Sequence, residues 1–201
     1  MEIYLIRHGE SFQTSSEYFC EEKQTMNPPL TQKGIEQAHK LADRLKDIKF
    51  DKIYASDLDR AVQTADILKS YVNSDIFINK QFREIDMGEI YKKSWNDFPE
   101  LYSKWILHEE DMPYPNGESG ADVWYRCKQQ INEIVNLNYK RIAIVCHGGT
   151  IRSIICGILN IPQHRRFYFG MPPKNCSVSI VIYKEKDSIL HTFNDYTHIT
   201  K

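Results

Sequence analysis

The sequence predicts an α/β protein, with a mostly parallel central sheet, helices on both faces and an antiparallel hairpin at one edge. Three observations carry this expectation. Short apolar runs alternate along the chain with stretches whose apolar residues recur at helical spacing, the order that builds parallel sheets through crossover helices. The early runs are nearly continuous in apolar character, as strands covered on both faces tend to be. Two further runs close the chain with only a polar turn between them, a hairpin pattern.

In chain order, Ile3-Tyr4-Leu5-Ile6 is the first strand, and Ile35, Ala38, Leu41, Ala42, Leu45 and Ile48 mark the first helix. Lys52–Ala55 is the second strand. The helix after it shows Leu58, Ala61, Val62, Ala65, Leu68 and Val72, with Ser56 and Asp59 as its expected capping pair. Asp75–Ile78 is a third strand. A third helix follows Ser119 as its cap and carries Val123, Cys127, Ile131, Ile134 and Val135. Ile142–Cys146 is the fourth strand, and Ile151, Ile154, Ile155 and Ile158 place a helix directly after His147-Gly148-Gly149. Ser177–Tyr183 and Ile189–Phe193 form the closing hairpin. The stretch 88–120 departs from this rhythm, with Trp95, Phe98, Tyr102, Trp105 and Tyr114 set among prolines. It reads either as a lid over a site or as an excursion packed onto the sheet.

The 201 residues show no repeat, low-complexity tract or linker, so a single domain over 1–201 is expected, large enough to bury a core unaided. Lys plus Arg total 26 against 27 Asp plus Glu, a balance that argues against nucleic acid as partner. The five cysteines form no CxxC pair, so neither a disulfide framework nor a zinc site is expected. The first apolar run is too short for a signal peptide, and no stretch approaches the roughly 20 apolar residues of a membrane helix. The expectation is a reduced, cytoplasmic protein with no membrane partner.

Ligands of open parallel sheets collect outside the carboxyl ends of the strands. The residues that follow the expected strands are Arg7-His8-Gly9-Glu10, Ser56 to Arg60, Phe82-Arg83-Glu84-Ile85 and His147-Gly148-Gly149. Parallel strands would bring two arginines, two histidines and a glutamate to one rim. Arg7 and Arg60 can offer guanidinium forks to a phosphate, and imidazole is a competent nucleophile near neutral pH. A second imidazole, protonated beside a dianion, can stabilise a transferring phosphoryl group. A carboxyl can protonate a leaving alkoxide and then take a proton from water. Glycines at 9, 148 and 149 would let backbone approach the anion, and the helix starting near Thr150 would point its positive end there.

Leu5-Ile6-Arg7-His8-Gly9-Glu10 resembles the defining motif of the histidine phosphatase superfamily, the phosphoglycerate-mutase-like family. The resemblance continues through Pro29–Gly34, Tyr54–Ala65, Phe82–Gly88, Val145–Gly149 and Asn175–Ser179, in order and over nearly the whole chain. It implies a three-layer α/β/α sandwich. It further implies that His8 is the phosphorylated nucleophile, that Arg7, Arg60 and His147 line the phosphate pocket, and that Glu84 is general acid and then base. The phosphatase branch, with α-ribazole phosphatase and broad-specificity phosphatases, implies no metal or organic cofactor and a small phosphomonoester as substrate.

Two departures stand out. Many relatives carry an asparagine after the first motif that assists phosphate binding, where this chain has Ser11-Phe12-Gln13-Thr14, leaving Thr14 as the substitute. Relatives often continue past the acid with Gly-Asp-Trp-Glu-Gly, where this chain has Gly88-Glu89-Ile90-Tyr91-Lys92. The alternatives to a phosphatase are a cofactor-dependent phosphoglycerate mutase and a non-catalytic phosphate-binding protein. Mutases of the family usually have a longer insertion and a longer C-terminal tail, which favours hydrolysis, and retention of His8, Arg60, Glu84 and His147 favours an enzyme. A metal site on His8, Glu10 and His147 lacks clustered ligand spacing.

Overall fold

A computed structural model describes residues 1–12, 27–170 and 172–200. Its six-stranded sheet has the order β3-β2-β4-β1-β5-β6, built from β1 (Glu2–Arg7), β2 (Lys52–Ala55), β3 (Ile76–Ile78), β4 (Arg141–Cys146), β5 (Val178–Ile182) and β6 (Ile189–Asp195). The pairings β1–β4, β4–β2 and β2–β3 are parallel, and β1–β5 and β5–β6 are antiparallel, so only β5 runs against the rest. This is the expected mostly parallel sheet with its hairpin edge.

Side-chain alternation explains why the central strands are apolar throughout. Ile3, Leu5, Ile142 and Ile144 face one layer, formed by α4 (Gly120–Val135) and α5 (Gly148–Ile158). Tyr4, Ile6, Ala143 and Val145 face the other, formed by α1 (Gln32–Leu45) and α2 (Asp59–Lys69). The result is a three-layer sandwich with a core on each side of the sheet. The expectation is not met at the third strand. It shortens to Ile76–Ile78 at the sheet edge, where Phe77 and Ile78 are 49% and 43% exposed. With one neighbour in the sheet, β3 packs Ile76 toward the α2 side and leaves Phe77 and Ile78 partly open.

The two helix caps that the sequence predicts have different outcomes. Ser119 caps α4 in a full capping box with Asp122, as its spacing predicts. Ser56 is not the N-cap of α2: the helix begins at Asp59, and its N-cap is Leu58, whose side chain makes no capping hydrogen bond. Ser56 is committed elsewhere, as the site geometry shows.

The insertion contains α3 (Pro99–Trp105) and two single 3-10 turns, Gly88–Tyr91 and Trp95–Asp97. Its base is stitched shut. Glu89 N donates to Pro115 O (2.9 Å), Glu118 N to Asp86 O (2.8 Å), and Asp86 N to the Glu118 carboxylate (3.0 Å). Trp95, Tyr102, Trp105 and Tyr114 pack on one another, and Trp105 also meets Phe167 edge-on. These rings form a partly exposed aromatic cluster that reaches the main core through Tyr114.

The loop after β1 is docked on the start of α1 by backbone contact. Thr31 caps α1, its Oγ1 accepting from Gly34 N, and Thr31 N donates to Glu10 O. A Cβ at Gly34 would lie 1.9 Å from Glu10 O, and one at Gly9 would lie 2.5 Å from Gly34 O. A side chain at Gly9 would thus obstruct this backbone crossing, a requirement its position in the motif did not reveal. Gly34→Ala is expected to lower the unfolding free energy by about 2–3 kcal/mol in urea titrations. A loss below about 0.5 kcal/mol, the level of ordinary surface changes, would contradict the crossing.

Candidate active site

The parallel register does what the sequence reading required of it. Arg7 pairs with Cys146 and Ala55 with Val145, so the residues leaving β1, β2 and β4 emerge side by side. His8 N and Ser56 N extend the ladder by donating to Cys146 O and Val145 O, each at 3.0 Å. His8 and His147 consequently face each other, with ring centroids 5.0 Å apart. Both are buried, at 3% and 0% exposure.

The hydrogen bonds of His8 define its tautomer. Nδ1 lies 2.7 Å from the Gly9 carbonyl, which can only accept, so Nδ1 carries the proton. Nε2 accepts from Arg60 Nε at 3.3 Å and therefore presents its lone pair toward the guanidinium. Thr64 Oγ1, itself donating to Arg60 O (2.7 Å), accepts from Gly9 N (3.1 Å) and ties this loop to α2. Behind the loop, Cys176 N donates to Arg7 O (3.0 Å) and Asn175 Nδ2 to His8 O (3.1 Å). Arg7 donates through Nη1 to Pro173 O, while its buried Nε has no protein partner. His147 pairs through Nε2 with Ser56 Oγ at 2.9 Å, and its buried Nδ1 has no protein partner.

Glu84 joins the rim from a different direction. The single 3-10 turn Lys80–Phe82 follows β3 and turns the chain back toward α5. The Glu84 carboxylate accepts from Gly149 N (3.2 Å) and Thr150 N (3.1 Å), the first turn of α5, and from Ile85 N (2.9 Å). This corrects one expectation: these amides at the positive end of α5 hold a carboxylate, where the sequence suggested an anion from outside. A Cβ at Gly149 would lie 2.8 Å from Glu84 Oε1, so that glycine makes room for the acid. At Gly148 the nearest neighbour of an added Cβ is Arg7 Nε at an ordinary 3.7 Å.

Arg126 on α4 fixes the segment carrying Glu84, and nothing in the sequence pattern marked it. Its Nη2 donates to Arg83 O (2.9 Å) and Glu84 O (3.2 Å), and its Nη1 to Gln81 O. Its Nε and Nη2 also form a fork with the Glu118 carboxylate at 2.9 and 3.0 Å. Glu84 opens into a cleft of about 610 Å3, lined also by Arg60, Lys80, Arg83, Tyr91 and Arg126. Tyr91 appeared in the sequence only as a departure from a motif. Burial, with Glu84 nearby, raises its phenol, and burial pushes Tyr114 up to about 12. Arg7, His8, Arg60, Glu84 and His147 are thus grouped at one rim, and Thr14 lies outside the described residues. No group of three or more His, Cys, Asp or Glu suited to a metal occurs among the described residues.

The chain belongs to the histidine phosphatase superfamily (branch 1), whose family model matches residues 3–196. A probable phosphoglycerate mutase GpmB from Enterobacter sp. strain 638 is 30% identical over 190 residues, covering 92% of this chain and 86% of that protein. The solved phosphoserine phosphatase of Entamoeba histolytica in complex with 3-phosphoglyceric acid is similar at 25% identity, with a TM-score of 0.80 and 98% of each chain covered. The α-ribazole phosphatase of Shigella flexneri is similar at 25% identity and a TM-score of 0.79, over 98% of this chain and 97% of that one. Among the described residues no helix is long and apolar enough to cross a membrane.

Both imidazoles are held neutral. Burial lowers the pKa of His8 well below the ordinary 6.5, and Arg7 and Arg60 lower it further. For His147 burial again comes first, followed by His8, Arg60 and Arg7. The folded protein thus refuses protons that the unfolded chain accepts. The stability this pair contributes is complete above about pH 6.5 and is lost as pH falls toward the depressed folded values. NMR titration of the histidine ring protons should show both resonances unmoved as pH is lowered through the ordinary imidazole range near 6.5. A normal titration of either ring near pH 6.5 would refute the buried, cation-flanked geometry.

Proposed function

We propose that this protein is a phosphatase that hydrolyses a small phosphomonoester in two steps through a phosphohistidine on His8. The observation that carries this reading is the placement of Arg60, which touches the lone-pair nitrogen of His8 and at the same time lines the cleft that holds Glu84. A phosphoryl group bound by Arg60 therefore lies between nucleophile and acid. The two solved neighbours are named phosphatases, which also favours hydrolysis.

In the first step His8 Nε2 forms a bond to phosphorus as the ester P–O bond breaks, and protonated Glu84 gives its proton to the leaving alkoxide. Arg7, Arg60 and His147 hold the phosphoryl oxygens, whose charge is spread in the transition state. In the second step the Glu84 carboxylate takes a proton from a water molecule whose oxygen attacks phosphorus. The N–P bond breaks, its electron pair returns to Nε2, and inorganic phosphate leaves. Residues 88–120 act as a lid, with Tyr91 walling the cleft beside Glu84. The cleft lining is mostly charged or amide side chains, which suits a polar alcohol.

The test combines two variants with a product analysis. His8→Ala should abolish an acid-labile, base-stable phosphoenzyme and all turnover. Glu84→Gln should slow alkyl phosphates at least about tenfold more than p-nitrophenyl phosphate, whose leaving group needs little protonation. Equal losses on both esters would remove Glu84 from the acid role. With 3-phosphoglycerate and 2,3-bisphosphoglycerate, release of phosphate without isomerisation is expected. Rapid isomerisation with little phosphate release would overturn hydrolysis in favour of the mutase reaction that the Enterobacter relative's name denotes.

A further inference from the structure

Ser56 carries the pattern of a helix cap yet caps nothing, and its actual neighbours give it a different task. The residue is fully buried at the carboxyl end of β2. Its Oγ accepts a hydrogen bond from Leu58 N at 3.3 Å and lies 2.9 Å from His147 Nε2. A hydroxyl has one proton to give. The Leu58 amide can only donate, so the Ser56 proton is not directed there. No carbonyl or carboxylate is hydrogen-bonded to Ser56 Oγ among the described residues, which leaves the imidazole nitrogen as its acceptor.

We propose that Ser56 is a positioning residue that fixes the proton of His147 on Nδ1, so that the imidazole offers an N–H, not a lone pair, to an oxygen of the transferring phosphoryl group. The inference rests on the reading that the site handles a phosphoryl group, but not on whether water is the final acceptor. Nδ1 is the ring nitrogen that is buried without a protein partner, and the ring stands beside His8. With the proton on Nδ1, every group is satisfied: Leu58 N–H donates to Ser56 Oγ, Ser56 O–H to Nε2, and Nδ1–H to the ligand oxygen. The opposite tautomer strands the buried hydroxyl proton and turns a lone pair toward an anion, a double loss in a desolvated site. Burial and the nearby guanidiniums keep the ring neutral, and a neutral ring has a tautomer to be chosen. In the free protein the hydrogen bond is thus prepared without a buried cation.

The experiment is long-range proton–nitrogen correlation NMR on the full chain labelled with 15N in its histidine rings, at neutral pH and without ligand. His147 should show a protonated Nδ1 and a bare, hydrogen-bonded Nε2. In Ser56→Ala the Nε2–H form should become populated. Vanadate inhibition and kcat/KM for alkyl and aryl esters should then weaken together, by roughly 10- to 100-fold. Ser56→Thr, which keeps the hydroxyl, should restore the wild-type tautomer and most of the vanadate affinity. A wild-type His147 found as the Nε2–H tautomer or as imidazolium overturns the proposal whatever the variants do, and so does a Ser56→Ala protein that keeps the wild-type tautomer. If the enzyme isomerises its substrate without releasing phosphate, hydrolysis fails while an Nδ1–H signal and Ser56-dependent vanadate binding leave this assignment standing.

Discussion

The hydrogen bond from Arg60 Nε to His8 Nε2 exists only while that nitrogen keeps its lone pair, and much of the molecule serves this condition. Protonation would place an imidazolium against two guanidiniums in a site without bulk water, and burial with Arg7 and Arg60 opposes it. The proton the ring does carry is drawn to Nδ1 by the Gly9 carbonyl. That carbonyl is held in place because Gly9 and Gly34 cross without Cβ atoms and Thr64 holds the Gly9 amide. Thr64 and Arg60 lie one helical turn apart on α2, so one helix supplies the cation and anchors the loop that answers it. Local backbone packing and the tautomer of His8 are here a single constraint.

What was legible in the sequence follows from which interactions leave a periodic trace. The two-faced burial of β1 and β4 did so, because Ile3 to Ile6 and Ile142 to Cys146 must satisfy both cores. The positions of Arg7, His8 and His147 followed, since each directly extends a strand whose neighbours run parallel. Glu84 was found through its motif, but its bonding to Gly149 and Thr150 was not, because the helix N-terminus invited an external anion instead. Arg126 left no trace: a helical arginine beside buried Cys127 looks the same in sequence whether it faces water or reaches three backbone carbonyls. Ser56 was misread because a serine three residues before an aspartate fits a cap as well as it fits an imidazole partner. Only the distance from Oγ to Nε2 separates the two.

Two residues from outside the strand ends organise Glu84. Arg126 and Glu118 form a fork at the edge of the cleft, and each also bonds backbone, Arg126 that of the Glu84 segment and Glu118 that of Asp86. Glu84 therefore sits between two fixed supports, the first turn of α5 and the guanidinium of α4. Its placement does not depend on the strand from which it descends, consistent with β3 being short and half exposed at the sheet edge.

The stitched base of the insertion has a consequence for how such a protein diversifies. Because Asp86, Glu89, Pro115 and Glu118 tie the ends of the segment together, what lies between them is a cassette that meets the rest of the molecule through Trp105 and His108 on Phe167 and Asp111 on Arg166. Its sequence can drift, lengthen or be exchanged for a relative's while the seam stays constant. The wall presented by Tyr91 would change with it, and His8, Arg60 and His147, all anchored on the sheet side of the seam, would not. A new clientele can thus be acquired in this architecture by editing one loop, leaving the inherited reaction centre untouched.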